Sequence, residues 1–215
     1  MLLWINGPFG GGKTQTAHEI RRRLPGSVIC DPEEVGFGLH RMAPRPLPRD
    51  FQHLGDFQDF PAWRQGVYEV LDLVLTRHQG PVIAPMTLVE PAYFQETVGR
   101  LRDRGHDVRH FALLATRATV LRRLRERSLG HLLPGAGGNA PPRGETFAVS
   151  RLDGCLARLQ QPLFAEQLWT DSLSIPQVAD RVAASAGLSL LPNTDTALRA
   201  RLRRAALGLR HVRWD

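Results

Sequence analysis

The stretch Gly7-Pro8-Phe9-Gly10-Gly11-Gly12-Lys13-Thr14 places a glycine four residues ahead of Gly-Lys-Thr, and Lys13 is the only lysine among the 28 basic side chains of this 215-residue chain. A glycine-rich turn aims main-chain N–H groups inward as a nest for anionic oxygens. The free amides opening the next helix add partial positive charge. A compact ammonium on a flexible stem enters such a cradle where a wide, planar guanidinium does not. In a chain that uses arginine everywhere else, the lone lysine marks a place where arginine will not serve. The spacing, between an apolar strand and a helix, reads as a P-loop. Gly7, Phe9, Gly10, Gly11, Gly12, Thr14 and Gln15 are then expected around the phosphates. Lys13 neutralises the β- and γ-phosphates, and the Thr14 hydroxyl ligates Mg²⁺. ATP with Mg²⁺ is the expected nucleotide, since the guanine-reading N-K-x-D needs a second lysine.

Asp31 closes the second apolar stretch, "SVICD". At the carboxyl end of a strand in an open parallel sheet, it can take a proton from a substrate hydroxyl or hold water on Mg²⁺. It can equally cap the helix that begins at Pro32-Glu33. In "VLRRLRERSLG", Arg123 and Arg127 share a helix face. Arg123 is expected on the adenine and Arg127 on the phosphates, with Arg143 a weaker candidate. No apolar strand ends in an Asp of Walker-B type followed by a catalytic Glu, which favours transfer to a bound substrate over mechanical hydrolysis.

These residues need a frame. Apolar strands are expected at 1–6, 27–31, 81–86, 108–115 and 167–171. Helices are expected at 13–24, 33–42, 63–77, 92–104, 116–128, 147–160, 174–186 and 194–210. Strands alternating with helices predict an α/β, doubly wound parallel sheet. Residues 43–56 read as a loop. The Gly/Pro-rich 129–145 reads as part of a lid.

"WINGPFGGGKTQTA", "DPEEVGFGLHRM", "PMTLVEPAYFQETVGRLRDRG", "LRRLRER" and "TDSLSIPQVADRVA" together resemble the ATP-binding tunicamycin-resistance proteins. Those belong to the P-loop kinases that include adenylate, shikimate and chloramphenicol kinases. The resemblance covers most of the chain. It implies a five-stranded sheet in the order 2-3-1-4-5. It also implies protection against tunicamycin, a uridine-containing nucleoside antibiotic with a fatty acyl chain, by phosphorylation of the drug. The chain then divides into a kinase domain at 1–192, with a substrate-binding segment at about 37–68 and a lid at about 123–146, and an appended helix at 193–215.

The acceptor must meet the γ-phosphate near Asp31. Phe37, Met42, Phe51, Phe57, Phe60, Trp63 and Tyr68 supply apolar and aromatic surface there, with Tyr93 and Phe94 after the third strand. Phe37, Arg64 and Met86 are the leading acceptor candidates. The C-terminal segment carries Leu198, Leu202, Ala205 and Leu209 on one stripe and arginines elsewhere, so 194–213 can rest on an anionic bilayer or pack on the domain. A net charge of +7, spread along helices, fits coding bias better than nucleic-acid binding. Cys30 and Cys155 read as buried thiols in a reducing cytosol. His106 and His110 read as surface residues. The apolar run at the start is too short for a signal peptide, so the expected location is cytoplasmic, with peripheral contact at the inner face of the membrane.

Overall fold

A computed structural model of the chain describes residues 1–42, 56–129 and 143–196, together with 199 and 203. Phe51, the central part of the expected lid and nearly all of the expected C-terminal helix lie outside the described residues. So do the side chains of Arg127 and Arg143.

Five strands form one parallel sheet: β1 (Leu2–Asn6), β2 (Val28–Ile29), β3 (Val82–Pro85), β4 (Val108–Leu114) and β5 (Gln167–Trp169). Their order is β2-β3-β1-β4-β5. The central strand is β1, with Trp4 beside Ala84 on one flank and His110 on the other. All five β1 residues are buried, the signature of a parallel strand covered on both faces. Successive side chains alternate between two cores. Leu2 and Trp4 join Trp63, Leu71 and Phe94, while Leu3 and Ile5 join Ala17, Ile20 and Val182. Each such large side chain contributes about 1.5–3 kcal/mol over its exposed state, enough to hold a strand of five residues. The edge strands β2 and β5 have only two and three residues, which limits unwanted pairing at the sheet margins.

The helices are α1 (Lys13–Arg23), α2 (Glu33–Met42), α3 (Pro61–Arg77), α4 (residues 91–103), α5 (Arg117–Leu129), α6 (Arg143–Leu159) and α7 (Ile175–Ser185). Proline opens α3 and α4, where its missing N–H is not needed. A π turn at Gln95–Gly99 interrupts α4. Two short 3-10 turns, Phe57–Asp59 and Pro162–Phe164, have no counterpart in the sequence reading. Asp56 caps the first by accepting the Gln58 N–H at 3.1 Å.

The surface reading of His110 is overturned. His110 is buried at 4% exposure, because it lies on an inward-facing position of β4 beside Trp4. Phe94 and Phe164 pack edge-on and tilted against its ring at 5.0 and 5.8 Å. His106 does lie outside the strand, where its Nε2 pairs with Asp72 at 2.6 Å. Among the described residues, no helix is long and apolar enough to cross a membrane.

Candidate functional site

Asn6 ends β1, and its carboxamide sets the entrance to the glycine loop. Its Oδ1 accepts the Gly7 N–H at 2.8 Å and the Leu88 N–H at 3.0 Å. Its Nδ2 donates to the Leu88 carbonyl at 2.6 Å and faces His110 Nε2 at 3.1 Å. With two donors on its oxygen, the amide can only donate from Nδ2. Nε2 of His110 is therefore the acceptor, and the ring proton sits on Nδ1, facing the Ala165 carbonyl at 3.3 Å. Burial, with help from Arg102 and against the Ala165 contact, pushes the His110 pKa down to about 4. The imidazole is neutral at pH 7 and serves as a fixed structural link. It was missed because His110 was judged by its neighbours in sequence.

The loop turns on glycine backbone. Gly7 has φ 152° and a Cβ there would lie 2.9 Å from the Leu113 carbonyl oxygen; Gly12, with φ 92°, precedes the first turn of α1. Both are conformations that side chains resist. The Pro8 carbonyl accepts the Gly11 N–H at 2.9 Å and the Lys13 ammonium at 3.1 Å. Lys13 is buried, with its ammonium 5.5 Å from the centre of the Phe9 ring. The first turn of α1 holds no acidic residue, so the helix dipole has no internal anion to answer. The loop holds its cation beside the Pro8 carbonyl, with no room for a Cβ at Gly7 or at Gly11, where it would meet the Pro8 oxygen at 2.8 Å. That cradle fits a phosphate chain. Thr14 and Gln15 follow on α1 and are half-buried. Thr14 would supply one hydroxyl to a Mg²⁺ ion that takes its other ligands from phosphate and water.

Other elements close around the loop. The Thr87 hydroxyl donates to the Gly7 carbonyl at 2.8 Å, tying the segment after β3 to the cradle. A Cβ at Gly10 would meet Leu124 of α5 at 3.0 Å, and one at Gly12 would meet Ile175 of α7 at 3.3 Å. Phe9 packs with Val120, Leu124, Ala148 and Leu152, so α5 and α6 both reach the loop. Burial pushes the Cys155 thiol of α6 up to about 11, against the pull of Lys13 and Arg158. Cys155 is buried as expected, whereas Cys30 is half-buried.

Asp31 takes the capping role: its Oδ1 accepts the Glu33 N–H at 3.0 Å at the start of α2. It stands just beyond β2, at the carboxyl edge where the glycine loop leaves β1. Arg123 reaches across to the segment after β5, donating to the Thr170 hydroxyl at 3.1 Å and carbonyl at 2.7 Å. Burial lowers its pKa from the ordinary guanidinium value. Next to it, burial pushes the Asp171 carboxyl up, but hydrogen bonds from Thr116 and Thr119 outweigh this and hold it below the usual range. Arg123 is thus held in place against Thr170. Arg127 belongs to α5, but its side chain lies outside the described residues.

On the acceptor side the candidates separate. Phe37 faces Phe57 at 6.3 Å, and Phe57 faces Trp63 at 5.5 Å. Trp63 is fully buried and donates to the Pro32 carbonyl at 3.1 Å. Met86 and Phe94 are core residues, 2% and 1% exposed. They point inward because each joins the cluster around Trp4 and Trp63, so neither presents a surface to an acceptor. Arg64 is buried, pairs with Glu96 at 2.6 Å and lies over the Tyr93 ring at 4.2 Å. Glu90, just before α4, pairs with Arg158 of α6. Asn6, Thr87, Asp59 and Glu96 were not singled out from the sequence. Only Asn6, directly before Gly7, had a positional signal.

The AAA domain family matches residues 2–131. Among solved structures, the tunicamycin resistance protein of Deinococcus radiodurans is 32% identical, over 89% of this chain and 99% of that one, with a TM-score of 0.69. A sugar kinase from a Janibacter species is 17% identical, over 87% and 95%, with a TM-score of 0.56. The Mycobacterium tuberculosis APS kinase, solved with AMPPNP and APS, is 16% identical, over 86% and 96%, with a TM-score of 0.52. At those identities the two kinases show a shared fold. No curated protein matches the sequence.

Proposed function

The chain belongs to the AAA domain family, with a P-loop kinase-like fold and a tunicamycin resistance protein as a relative, and on that premise we propose that it is an ATP- and Mg²⁺-dependent phosphotransferase. Its acceptor is a hydroxyl of tunicamycin or a related nucleoside, and the phosphorylated drug no longer acts. The observation that carries this reading is the preformed cradle: Lys13 held 3.1 Å from the Pro8 carbonyl at the mouth of a helix with no acid in its first turn.

The amides of Gly10, Gly12 and Lys13 bind the phosphate chain, Gly11 leaves it room, and the Lys13 ammonium neutralises its outer charge. Thr14 holds Mg²⁺, which when bound spreads the charge of the transferring group. Arg123 confines the nucleotide base. Asp31, which also caps α2, takes the proton from the acceptor hydroxyl as it attacks. Arg127, on the same helix face as Arg123, approaches the phosphates. Water must be kept out during transfer, and 123–146 serve as the cover. The tail at 194–213 brings the enzyme to the membrane surface where an acylated drug partitions.

Tunicamycin incubated with the protein, ATP and Mg²⁺ is expected to gain the mass of one phosphate. Unchanged drug, under conditions where the protein is folded and nucleotide-loaded, overturns the proposal. Protection without a mass change would instead mark a protein that sequesters the drug. Transfer to UMP in preference to tunicamycin would mark a nucleotide kinase. Cosedimentation with anionic vesicles, lost on truncation at residue 193, is the expected result for the tail.

A further inference from the structure

Arg64 is only 7% exposed although its charge is permanent. A guanidinium carries five N–H donors. Here Nε donates to Glu96 Oε2 and Nη1 to the Gln58 carbonyl, each at 2.6 Å. The flat face rests on Tyr93, 4.2 Å from the ring centre. No acceptor among the described residues takes Nη2. Nor is Nη2 among the described side-chain atoms that are sealed from solvent without a hydrogen bond, such as Trp4 Nε1 and Thr16 Oγ1. Three contacts therefore fix the plane of the group, and one edge is left open with its donors aimed. Such a group pays little ordering entropy when a ligand arrives.

Its place in the fold gives that edge a direction. Arg64 lies in the first turn of α3, and Tyr93 and Glu96 lie in the first turns of α4. Both helices begin at the carboxyl edge of the sheet, the edge from which the glycine loop emerges. Leu88, three residues before α4, is bonded on both its backbone groups to Asn6 at the mouth of the loop.

Charge then decides the ligand class. Glu96 already balances the guanidinium. The Tyr93 hydroxyl donates to Asp59 Oδ1 at 3.0 Å. Burial first, and then Asp59, pushes the Tyr93 phenol up, and Glu90 adds to it. An incoming phosphate or carboxylate would meet these carboxylates at close range, a like-charge cost. A neutral partner meets no such cost and still offers oxygens to the open N–H groups.

We propose that Arg64 is the acceptor-binding group of this site, and that it takes paired hydroxyl oxygens of a neutral sugar or ribosyl group, with Tyr93 and Asp59 beside it. The assignment rests on the phosphotransferase reading for the meaning of "acceptor". It goes beyond that reading in naming the part of the acceptor that is recognised and the group that recognises it.

The test is calorimetric titration of tunicamycin, and separately of uridine, into protein loaded with Mg²⁺ and AMPPNP. Wild type is expected to bind at least one of them. Arg64→Lys keeps the charge and stem but loses the fork, and is expected to weaken that binding about 10- to 100-fold with AMPPNP affinity unchanged. Arg64→Gln is expected to do the same. Should Arg64→Gln fail to fold by circular dichroism, Arg64→Lys carries the comparison. Acceptor affinity is expected to move less than about twofold between 50 and 500 mM NaCl, as befits a neutral ligand, and inorganic phosphate is not expected to compete. Wild-type affinity in Arg64→Lys, steep salt dependence, competition by phosphate, or no binding of either probe to wild type each overturns the assignment. Arg64-dependent binding with no phosphate transfer leaves this assignment standing and removes the phosphotransferase reading. Transfer indifferent to Arg64 does the reverse.

Discussion

The glycine loop and the Arg64 corner stand at the same edge of the sheet, but they are built in opposite ways. The loop is local: Gly7 through Thr14 are consecutive, and its binding groups are mostly main-chain amides. The Arg64 corner is assembled from Asp59, Arg64, Tyr93 and Glu96, drawn from a 3-10 turn and two helices, and apart from the Gln58 carbonyl its contacts are between side chains. Backbone amides bind any phosphate, whereas a constellation of side chains can be changed one residue at a time. The first kind of region can be shared across a fold, and the second is, on our proposal, where an acceptor is chosen.

That contrast can be broken at several points. The largest effect is expected from Lys13→Ala: nucleotide affinity, measured by titration with Mg·ATP, should fall by about 10²–10³-fold, the range for one lost electrostatic donor. Lys13→Arg should fare no better, because the fork is too wide for the cradle. Retention of ATP binding by either variant would remove the loop from the mechanism.

Asp31→Asn separates the two tasks of one residue. Asparagine still caps a helix, so stability and ATP affinity should hold, while turnover drops by roughly 10²–10⁴. A matching loss of thermal stability and activity would mean that Asp31 only caps α2.

Asn6→Ala tests whether the loop and the acceptor side are mechanically joined. Four buried contacts of Asn6 would go. The expected cost is about 2–4 kcal/mol, seen as a melting point lower by roughly 5–15 °C. ATP and acceptor affinities should fall together.

His110 gives a pH signature of similar size. Its folded pKa of about 4 lies below the ordinary value of 6.5. Between those values the unfolded chain binds the extra proton, so stability is fully present above pH 6.5 and drains away as pH falls toward 4. The loss approaches about 3 kcal/mol at the acid end. His110→Gln should flatten this part of the profile, and equal slopes for variant and wild type would refute it. Tyr93→Phe should show the smallest effect. Losing the Asp59 bond costs about 0.5–1.5 kcal/mol, with ATP affinity untouched and acceptor affinity reduced severalfold.

How much was legible follows from the same contrast. The glycine loop was readable because its function is written in consecutive residues of unusual type. The strands were readable because parallel strands buried on both faces leave unbroken apolar runs such as "LLWIN". Asp31 was placed at its strand end with both roles named, and the structure shows the cap. His110 was misread because burial depends on which strand lies alongside, and β4 borders β1 across about a hundred residues of chain. Met86 and Phe94, read as facing the acceptor, lie in the core for the same reason. Their apolar character is equally suited to a cleft or a core, and the inward face of the sheet took them.

The sequence alone determined that a phosphate cradle with a single ammonium exists here, and that alternating strands and helices must carry it. Local backbone preference and hydrophobic periodicity suffice for both. Only the tertiary structure decided that Asn6 clasps Leu88 and His110, and that Arg64 lies fixed on Tyr93 with one edge open. Those facts depend on side chains up to 104 residues apart meeting at 2.6–3.1 Å. Packing sets distances of that kind, and no local pattern in the chain records them.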